Sequence, residues 1–119
     1  MNELQQNIIK WAEDKGIFEK SDPTSQFLKT IEELGELASA VNKNDLPEIK
    51  DAIGDVTVTL ILLAEMKDDA IDLDDEIIWG FSNIKTAVVV LTTYLFKAFR
   101  SSEYDDAIHI LNKIGRAHV

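Results

Sequence analysis

The chain has 119 residues, with 22 acidic and 12 basic side chains, a formal net charge of −10 and no cysteine. This length suffices for one globular domain, and the lack of cysteine excludes disulfides and thiolate metal sites. The negative charge repels phosphate backbones, so we expect no binding to nucleic acid polymers. Since we find no charged-then-apolar leader and no apolar run near the roughly 20 residues that span a bilayer, we expect a cytoplasmic protein.

Helical periodicity dominates the first half of the chain. Apolar residues recur at three- and four-residue spacing over residues 2–15 and again from 24 to about 43. A third helix should begin at a capping side chain, Asn44 or Asp45, and continue over about 45–67. No linker or repeat separates these segments, so we predict a single domain over residues 1–119.

The second half of the chain predicts further helices. Acids at 72–76 favour a helix N-terminus, and the stretch 87–99 can continue that helix. Its β-branched residues leave a strand possible, but we favour a helix because no partner strand is evident. A last helix should begin at 101–102 and end before Gly115. The prediction is an all-α, four- to five-helix bundle.

Two segments are more apolar than a bundle of this size can cover. They are the third predicted helix beyond Asp55 and the stretch 87–99. Apolar surface of this kind marks contacts between proteins. We therefore predict a homo-oligomer, either a dimer or a dimer of dimers.

Six carboxylates form the most informative pattern: Glu32, Glu33, Glu36, Glu48, Asp51 and Asp55. Like charges three or four residues apart destabilise a helix by roughly 0.2–0.5 kcal/mol per pair. On the second helix the acids lie opposite the apolar stripe, where a solvated face is the simpler interpretation. On the third helix the acids run directly into apolar residues, so Asp55 should be partly enclosed. Enclosed carboxylates need protons, basic partners or a metal ion.

Glycines lie beside these acids, at Gly35 and Gly54. Each costs about 1 kcal/mol relative to alanine inside a helix. They reflect either simple packing or a close helix approach that brings the carboxylates face to face.

Oxygen ligands without cysteine or suitably spaced histidine favour Mg²⁺, Mn²⁺ or Ca²⁺. The Glu-x-x-His motif of di-iron carboxylate bundles is absent, which disfavours ferritin-like chemistry. Mg²⁺ completes its shell with substrate phosphates, so an acidic protein can hold an anionic nucleotide through the metal. The pattern therefore points to metal-assisted phosphoryl chemistry.

Two stretches resemble the MazG-like all-α nucleoside triphosphate pyrophosphohydrolases, especially the short phage and integron type. They are Gln26 to Ala38, with its Glu-Glu-x-x-Glu motif, and Glu48 to Val56; Trp11-Ala12 precedes them, and weaker similarity extends to Lys85. The resemblance implies hydrolysis of a nucleoside triphosphate to the monophosphate and pyrophosphate with Mg²⁺, Mn²⁺ being an alternative ion. Non-standard or surplus nucleotides are the implied substrates.

The resemblance also implies the site residues. Glu32, Glu33 and Glu36 match the first motif, with Glu33 and Glu36 as the favoured ligands. The second motif matches either as Asp51 and Asp55, which we favour, or as Glu48 and Asp51, because Ala52 occupies the position where longer members carry glutamate. Either Glu32 or Glu36 would act on the attacking water.

The implied substrate contacts are basic and aromatic side chains: Lys29, Asn83 and Lys85 for phosphate, and Trp11, Phe18 and Trp79 for the base. Each has a simpler explanation, since a lysine four residues before a glutamate can be an ordinary helix pair and large aromatics usually fill the core. The rival function is a non-catalytic helical interaction module, favoured by Ala52 and opposed by the intact first motif. Metal storage or sensing is a third possibility, disfavoured by the missing histidine ligands.

Overall fold

The computed structural model describes residues 3–68, 83–101 and 104–117, which form helices without a strand. The helices are α1 (Glu3–Asp14), α2 (Ile17–Lys20), α3 (Pro23–Lys43), α4 (Leu46–Met66), α5 (Ile84–Ser101) and α6 (Tyr104–Ala117). The all-α prediction is confirmed. Within the described ranges, none of the helices combines the length and apolar character needed to cross a membrane.

Helices α3 and α4 form a tight hairpin that carries all six acids. Asp22 caps α3 by accepting a hydrogen bond from the Ser25 backbone N–H at 2.8 Å, and Asp45 caps α4 through the Glu48 N–H at 3.2 Å. Between them, Asn44 adopts a left-handed conformation with φ of 54°. The two-residue connection reverses the chain, so the helices pack side by side.

Helix α4 lies at the centre of the fold, where it packs against α1, α3 and α6. Val56, Leu60 and Leu63 are each 0% exposed. The prediction that this helix needs a second subunit to cover its apolar surface is wrong, because neighbouring helices of the same chain cover it. On α5, by contrast, Val89 and Phe96 remain 65% and 52% exposed.

Helix α5 is helical despite its β-branched residues. Its buried residues recur at three- and four-residue spacing, and they are Ala87, Val88, Leu91, Leu95 and Ala98. The Phe99 ring stacks on Phe27 with ring centroids 4.2 Å apart, and the Lys67 amine lies 4.6 Å from the Phe99 centroid. Burial against α3 and α6 therefore outweighs the local preference of this segment for strand.

Two features of the chain differ from the sequence prediction. The turn of helix α2 was not predicted, and α6 continues through Gly115 instead of ending before it. A Cβ at Gly115 would lie 3.9 Å from the Ile53 side chain, so this glycine is a packing residue between α6 and α4. The helix predicted from the acids at 72–76 lies outside the described residues.

The glycines beside the acids do not mark a close helix approach, and that interpretation is wrong. A Cβ added at Gly35 or Gly54 would meet no atom within 4 Å among the described residues. We therefore expect Gly35→Ala and Gly54→Ala each to raise the free energy of unfolding by about 0.5–1 kcal/mol, measured by urea denaturation. Gly16→Ala should lower it, because Gly16 has φ of 71°. Destabilisation by both helical substitutions would contradict this assignment.

Candidate metal centre

Three carboxylates converge at the interface between α3 and α4. Glu33 and Glu36 project from one face of α3, since they are three residues apart, and Asp55 meets them from α4. Each offers one carboxylate oxygen, and these oxygens all lie within 4.8 Å of one another. A single divalent cation can therefore contact all three side chains. We refer to Glu33, Glu36 and Asp55 as the carboxylate cluster.

Glu33 is the most enclosed member of the cluster. Its side chain is 14% exposed, and its Oε1 lies 3.6 Å from the Lys29 amine. Its Oε2 is buried and has no hydrogen-bond partner. A buried carboxylate oxygen without a donor is costly, and a bound cation would satisfy it. The donor set thus fits a hard metal ion.

The electrostatics of the cluster agree with this fit. Burial raises the pKa of Glu33, and the neighbouring Glu36 carboxyl raises it further. Burial likewise raises the pKa of Asp55, with added repulsion from Glu33 and Asp51. Lys29 opposes both shifts without cancelling them. The cluster therefore holds negative charge that the nearby basic side chain does not neutralise.

A polar cleft of about 290 Å³ opens on one side of the cluster. Glu36 and Asp55 line it together with Glu48 and Asp51, so both readings of the second motif fall within one cleft. Ser39 and Lys43 extend the α3 wall of the cleft toward the end of that helix. The cleft thus combines four carboxylates with one amine and one hydroxyl.

A second pocket of about 380 Å³ opens on the other side and shares Glu33 and Asp55 with the cluster. Its remaining wall includes apolar and polar side chains, among them Trp11, Ile17, Gln26, Lys29, Thr59 and Leu62. Trp11 is 48% exposed at this pocket, so its indole is available to a ligand. We call this space the Trp11 pocket. The carboxylate cluster thus lies between a polar cleft and a partly apolar pocket.

The other predicted site residues lie outside the cluster. Glu32 is 61% exposed and lies 3.5 Å from the Lys29 amine. Asn83 accepts a hydrogen bond from the Thr86 N–H at 2.9 Å and so stabilises the start of α5. Lys85 is exposed on α5. Two further aromatic candidates were Phe18, half-buried on α2, and Trp79, which lies outside the described residues.

Sequence reasoning missed four polar residues that line these spaces: Gln26, Ser39, Lys43 and Thr59. Gln26 carried a usable signal, because it is a polar residue one turn before Thr30 and two turns before Glu33 on the face of α3 that packs on α4. Thr59 was concealed within the apolar run of α4. Neither residue belongs to the acidic pattern from which the site was predicted.

The site thus places three convergent carboxylates beside a partly apolar pocket in an all-α domain. Residues 21–78 match the model of the MazG nucleotide pyrophosphohydrolase domain. The resemblance read from the sequence is therefore confirmed for this segment, which is similar to the MazG domain. All three cluster residues fall within the matched range.

One curated relative is a phage protein whose description names no activity. It is described as an uncharacterized 18.2 kDa protein in the rep-hol intergenic region of Haemophilus phage HP1 (strain HP1c1). The two are 48% identical over 65 residues, which cover 55% of this chain and 40% of the relative. The match thus spans about two-fifths of the relative's length. No solved structure is significantly similar to the chain.

Proposed function

We propose that this protein is a Mg²⁺-dependent nucleoside triphosphate pyrophosphohydrolase that releases a nucleoside monophosphate and pyrophosphate. The main support for this proposal is that Glu33, Glu36 and Asp55 converge within the segment that matches the MazG domain. Its cellular role would be the removal of non-standard or surplus nucleotides, including deoxynucleotides, in the cytoplasm.

The cluster residues would hold the metal, with Asp51 and Glu32 completing the acidic set. Carboxylate oxygens suit Mg²⁺, and Mn²⁺ is compatible with the same ligands. A bound divalent ion would supply charge stabilisation at the phosphate that is attacked. The raised pKa of Glu33 and of Asp55 supports this role, since both carboxyls are more stable as anions when a cation is present.

The two spaces beside the cluster suggest how the substrate lies. A nucleoside in the Trp11 pocket would stack on Trp11 and direct its phosphates past Lys29 to the carboxylates. The terminal phosphates would then occupy the polar cleft, close to Lys43. Because this arrangement brings the bond between the first and second phosphates to the cluster, cleavage there releases pyrophosphate.

Water activation falls to a carboxylate near the cluster. Glu36 or Glu32 would orient the attacking water and accept its proton. Glu36 belongs to the cluster itself, whereas Glu32 is largely exposed beside it. Asn83 and Lys85 line neither the polar cleft nor the Trp11 pocket, so we assign phosphate and base contacts to Lys29 and Trp11.

A nucleotide panel tests the proposal. Canonical and modified nucleoside triphosphates are incubated with the protein and Mg²⁺, and the release of monophosphate and pyrophosphate is followed. We expect the wild-type protein to hydrolyse at least one nucleotide, and Glu36→Gln to lower that rate by about 100-fold or more. Glu65 is an exposed acid on α4, so the matched control Glu65→Gln should keep the wild-type rate. If the wild-type protein hydrolyses none of the nucleotides and Glu36→Gln behaves in the same way, the rival interaction module is favoured.

We also propose that the protein forms a homodimer or a dimer of dimers through α5. The exposed Val89 and Phe96 lie seven residues apart and so share one face of that helix. Light scattering should give a mass at least twice that of the chain, and Phe96→Glu should reduce it. A monomeric wild-type protein at the concentrations used for activity would refute this proposal.

A further inference from the structure

We infer that Lys29 acts as a resident counter-ion of the carboxylate cluster, weakening the binding of a divalent cation to the empty site until a phosphate chain draws its amine away. This inference concerns the regulation of the same site and rests on the proposed function. Its consequence is that the protein binds the metal–nucleotide complex in preference to the free metal ion. Lys29 is suited to this role because it borders both the cluster and the Trp11 pocket.

The amine of Lys29 is shared between two carboxylates. It lies 3.6 Å from Oε1 of Glu33, a member of the cluster, and 3.5 Å from Oε1 of Glu32. Glu32, and after it Glu33, raise the pKa of Lys29, so the amine remains charged. One oxygen of Glu33 therefore already faces a cation, while its Oε2 is buried without a hydrogen-bond partner.

A divalent ion bound to the cluster would lie close to this amine. Carboxylate oxygens hold Mg²⁺ at about 2.0–2.1 Å, so an ion on Oε1 of Glu33 would lie within about 6 Å of the Lys29 nitrogen. At this separation the repulsion between a divalent ion and an ammonium group lowers metal affinity by roughly 3- to 10-fold, even at the dielectric constant of water. Lys29 thus opposes binding of the free ion.

The pair between Lys29 and Glu33 is weak enough to be exchanged. The Lys29 side chain is 52% exposed, and its 3.6 Å distance from Glu33 is longer than a hydrogen bond. Ion pairs that water reaches contribute little to stability. Burial raises the pKa of Glu33 in spite of Lys29, so the amine compensates the cluster only in part. A phosphate chain presents several charged acceptor oxygens and competes for the amine.

The position of Lys29 lets its amine change partners locally. Its side chain lines the Trp11 pocket together with Glu33 and Asp55, so phosphates held there would meet the amine beside the cluster. Glu32 is 61% exposed and keeps the amine near the site when Glu33 releases it. Binding of the phosphate chain therefore removes a repulsion from the metal, and the two ligands bind together.

The test compares free Mn²⁺ with a Mn²⁺–nucleotide complex. Electron paramagnetic resonance gives the Kd of Mn²⁺ without nucleotide. Calorimetry gives the Kd of the Mn²⁺ complex of the α,β-imido analogue of whichever triphosphate the nucleotide panel shows to be hydrolysed fastest. We expect Lys29→Met to tighten the binding of Mn²⁺ alone by about 3- to 10-fold. The same variant should weaken the binding of the complex by about 5-fold or more, because it removes a charged contact with phosphate.

Two control variants separate this exchange from a general effect of charge. Lys29→Arg keeps the positive charge and should bind Mn²⁺ within about 2-fold of the wild type. Lys43→Met removes the same charge from the polar cleft, on the same helix. Because Lys43 forms no ion pair with any residue that the structure describes, this variant should change Mn²⁺ affinity by less than about 2-fold. Melting curves without metal show whether each variant is folded.

The outcomes distinguish this inference from the proposed function. If the wild-type protein hydrolyses a nucleotide, an unchanged Mn²⁺ affinity in Lys29→Met, or an equal gain in Lys43→Met, would overturn this inference alone. A Lys29→Met variant that binds the complex as tightly as the wild type would also overturn it, because the amine would then have no phosphate partner. A wild-type protein that neither hydrolyses any nucleotide nor binds Mn²⁺ would overturn the proposed function and this inference with it.

Discussion

Glu33→Gln is expected to abolish activity and, at the same time, to stabilise the metal-free protein. Glutamine keeps the shape of the side chain but removes a charge that burial and Glu36 make unfavourable. Each unit by which a pKa is raised corresponds to about 1.4 kcal/mol, and the neutral amide avoids this cost. The loss of a metal ligand should lower kcat/KM by about 100-fold or more. Thermal unfolding without metal and hydrolysis with Mg²⁺ measure the two effects.

The control is Glu65→Gln, which removes the same charge from an exposed position on α4, outside the carboxylate cluster and both of its neighbouring spaces. Its effect on stability should be within about 0.5 kcal/mol, and its activity should match the wild type. A Glu33→Gln variant that is both less stable without metal and fully active would contradict the assignment. That result would make Glu33 an ordinary partner of Lys29.

The stabilisation by Mg²⁺ should grow as the pH rises. In the metal-free protein, the pKa values of Glu33 and Asp55 are raised above their ordinary values of 4.5 and 3.8. At pH values between the ordinary pKa and the raised pKa of each group, the folded state binds more protons than the unfolded state. The free energy of unfolding therefore falls as the pH rises through this window, and it stays lower at higher pH. Mg²⁺ binds the ionised carboxylates, so it should restore stability above the window and have little effect below it.

The magnitude follows from binding linkage. At a Mg²⁺ concentration about 100 times Kd, the stabilisation is about 2.7 kcal/mol, or roughly 10 °C in Tm for a domain of this size. Melting curves at several pH values, with and without Mg²⁺, measure it. Asp55→Asn should flatten both the pH dependence and the Mg²⁺ effect. An equal Mg²⁺ effect at acidic and neutral pH, or one that Asp55→Asn retains, would count against metal binding at the cluster.

Local signals in the sequence were enough to predict most of the fold. The third helix was predicted to begin at a capping side chain, Asn44 or Asp45, and Asp45 does cap α4. The second was predicted from about residue 24, and α3 begins at Pro23, where Asp22 caps it. The segment 87–99 was ambiguous, since its β-branched residues favour a strand locally. Its helical state depends on burial against α3 and α6, which a local pattern does not contain.

The glycines show why packing was harder to predict. Gly115 was read as a helix stop, yet it lies inside α6 because that helix packs against Ile53 of α4. Gly35 and Gly54 permitted a close helix approach, yet an added Cβ at either position would meet no atom within 4 Å in the part of the chain that the structure describes. The role of a glycine depends on what surrounds it in three dimensions, and spacing along the chain does not reveal those neighbours.

For the site, the acidic pattern indicated which residues to consider but not how they group. Spacing alone made Glu32 and Glu33 equivalent, whereas the structure exposes Glu32 and encloses Glu33. The difference arises because α3 packs so that Glu33 borders the buried face. Gln26 carried a signal only through its place on the face of α3 that packs on α4. Its hydrogen bond to the Thr59 carbonyl joins two residues 33 positions apart, which a local pattern does not contain.

The location of bound metal in a crystal grown with Mn²⁺ tests the central claim most directly. Mn²⁺ substitutes for Mg²⁺ at oxygen ligands and gives an anomalous signal that identifies its position. We predict a peak bonded to carboxylate oxygens of Glu33, Glu36 and Asp55, and its loss in a Glu33→Gln crystal grown the same way. A wild-type crystal with Mn²⁺ bound elsewhere and none among these three side chains would contradict the account.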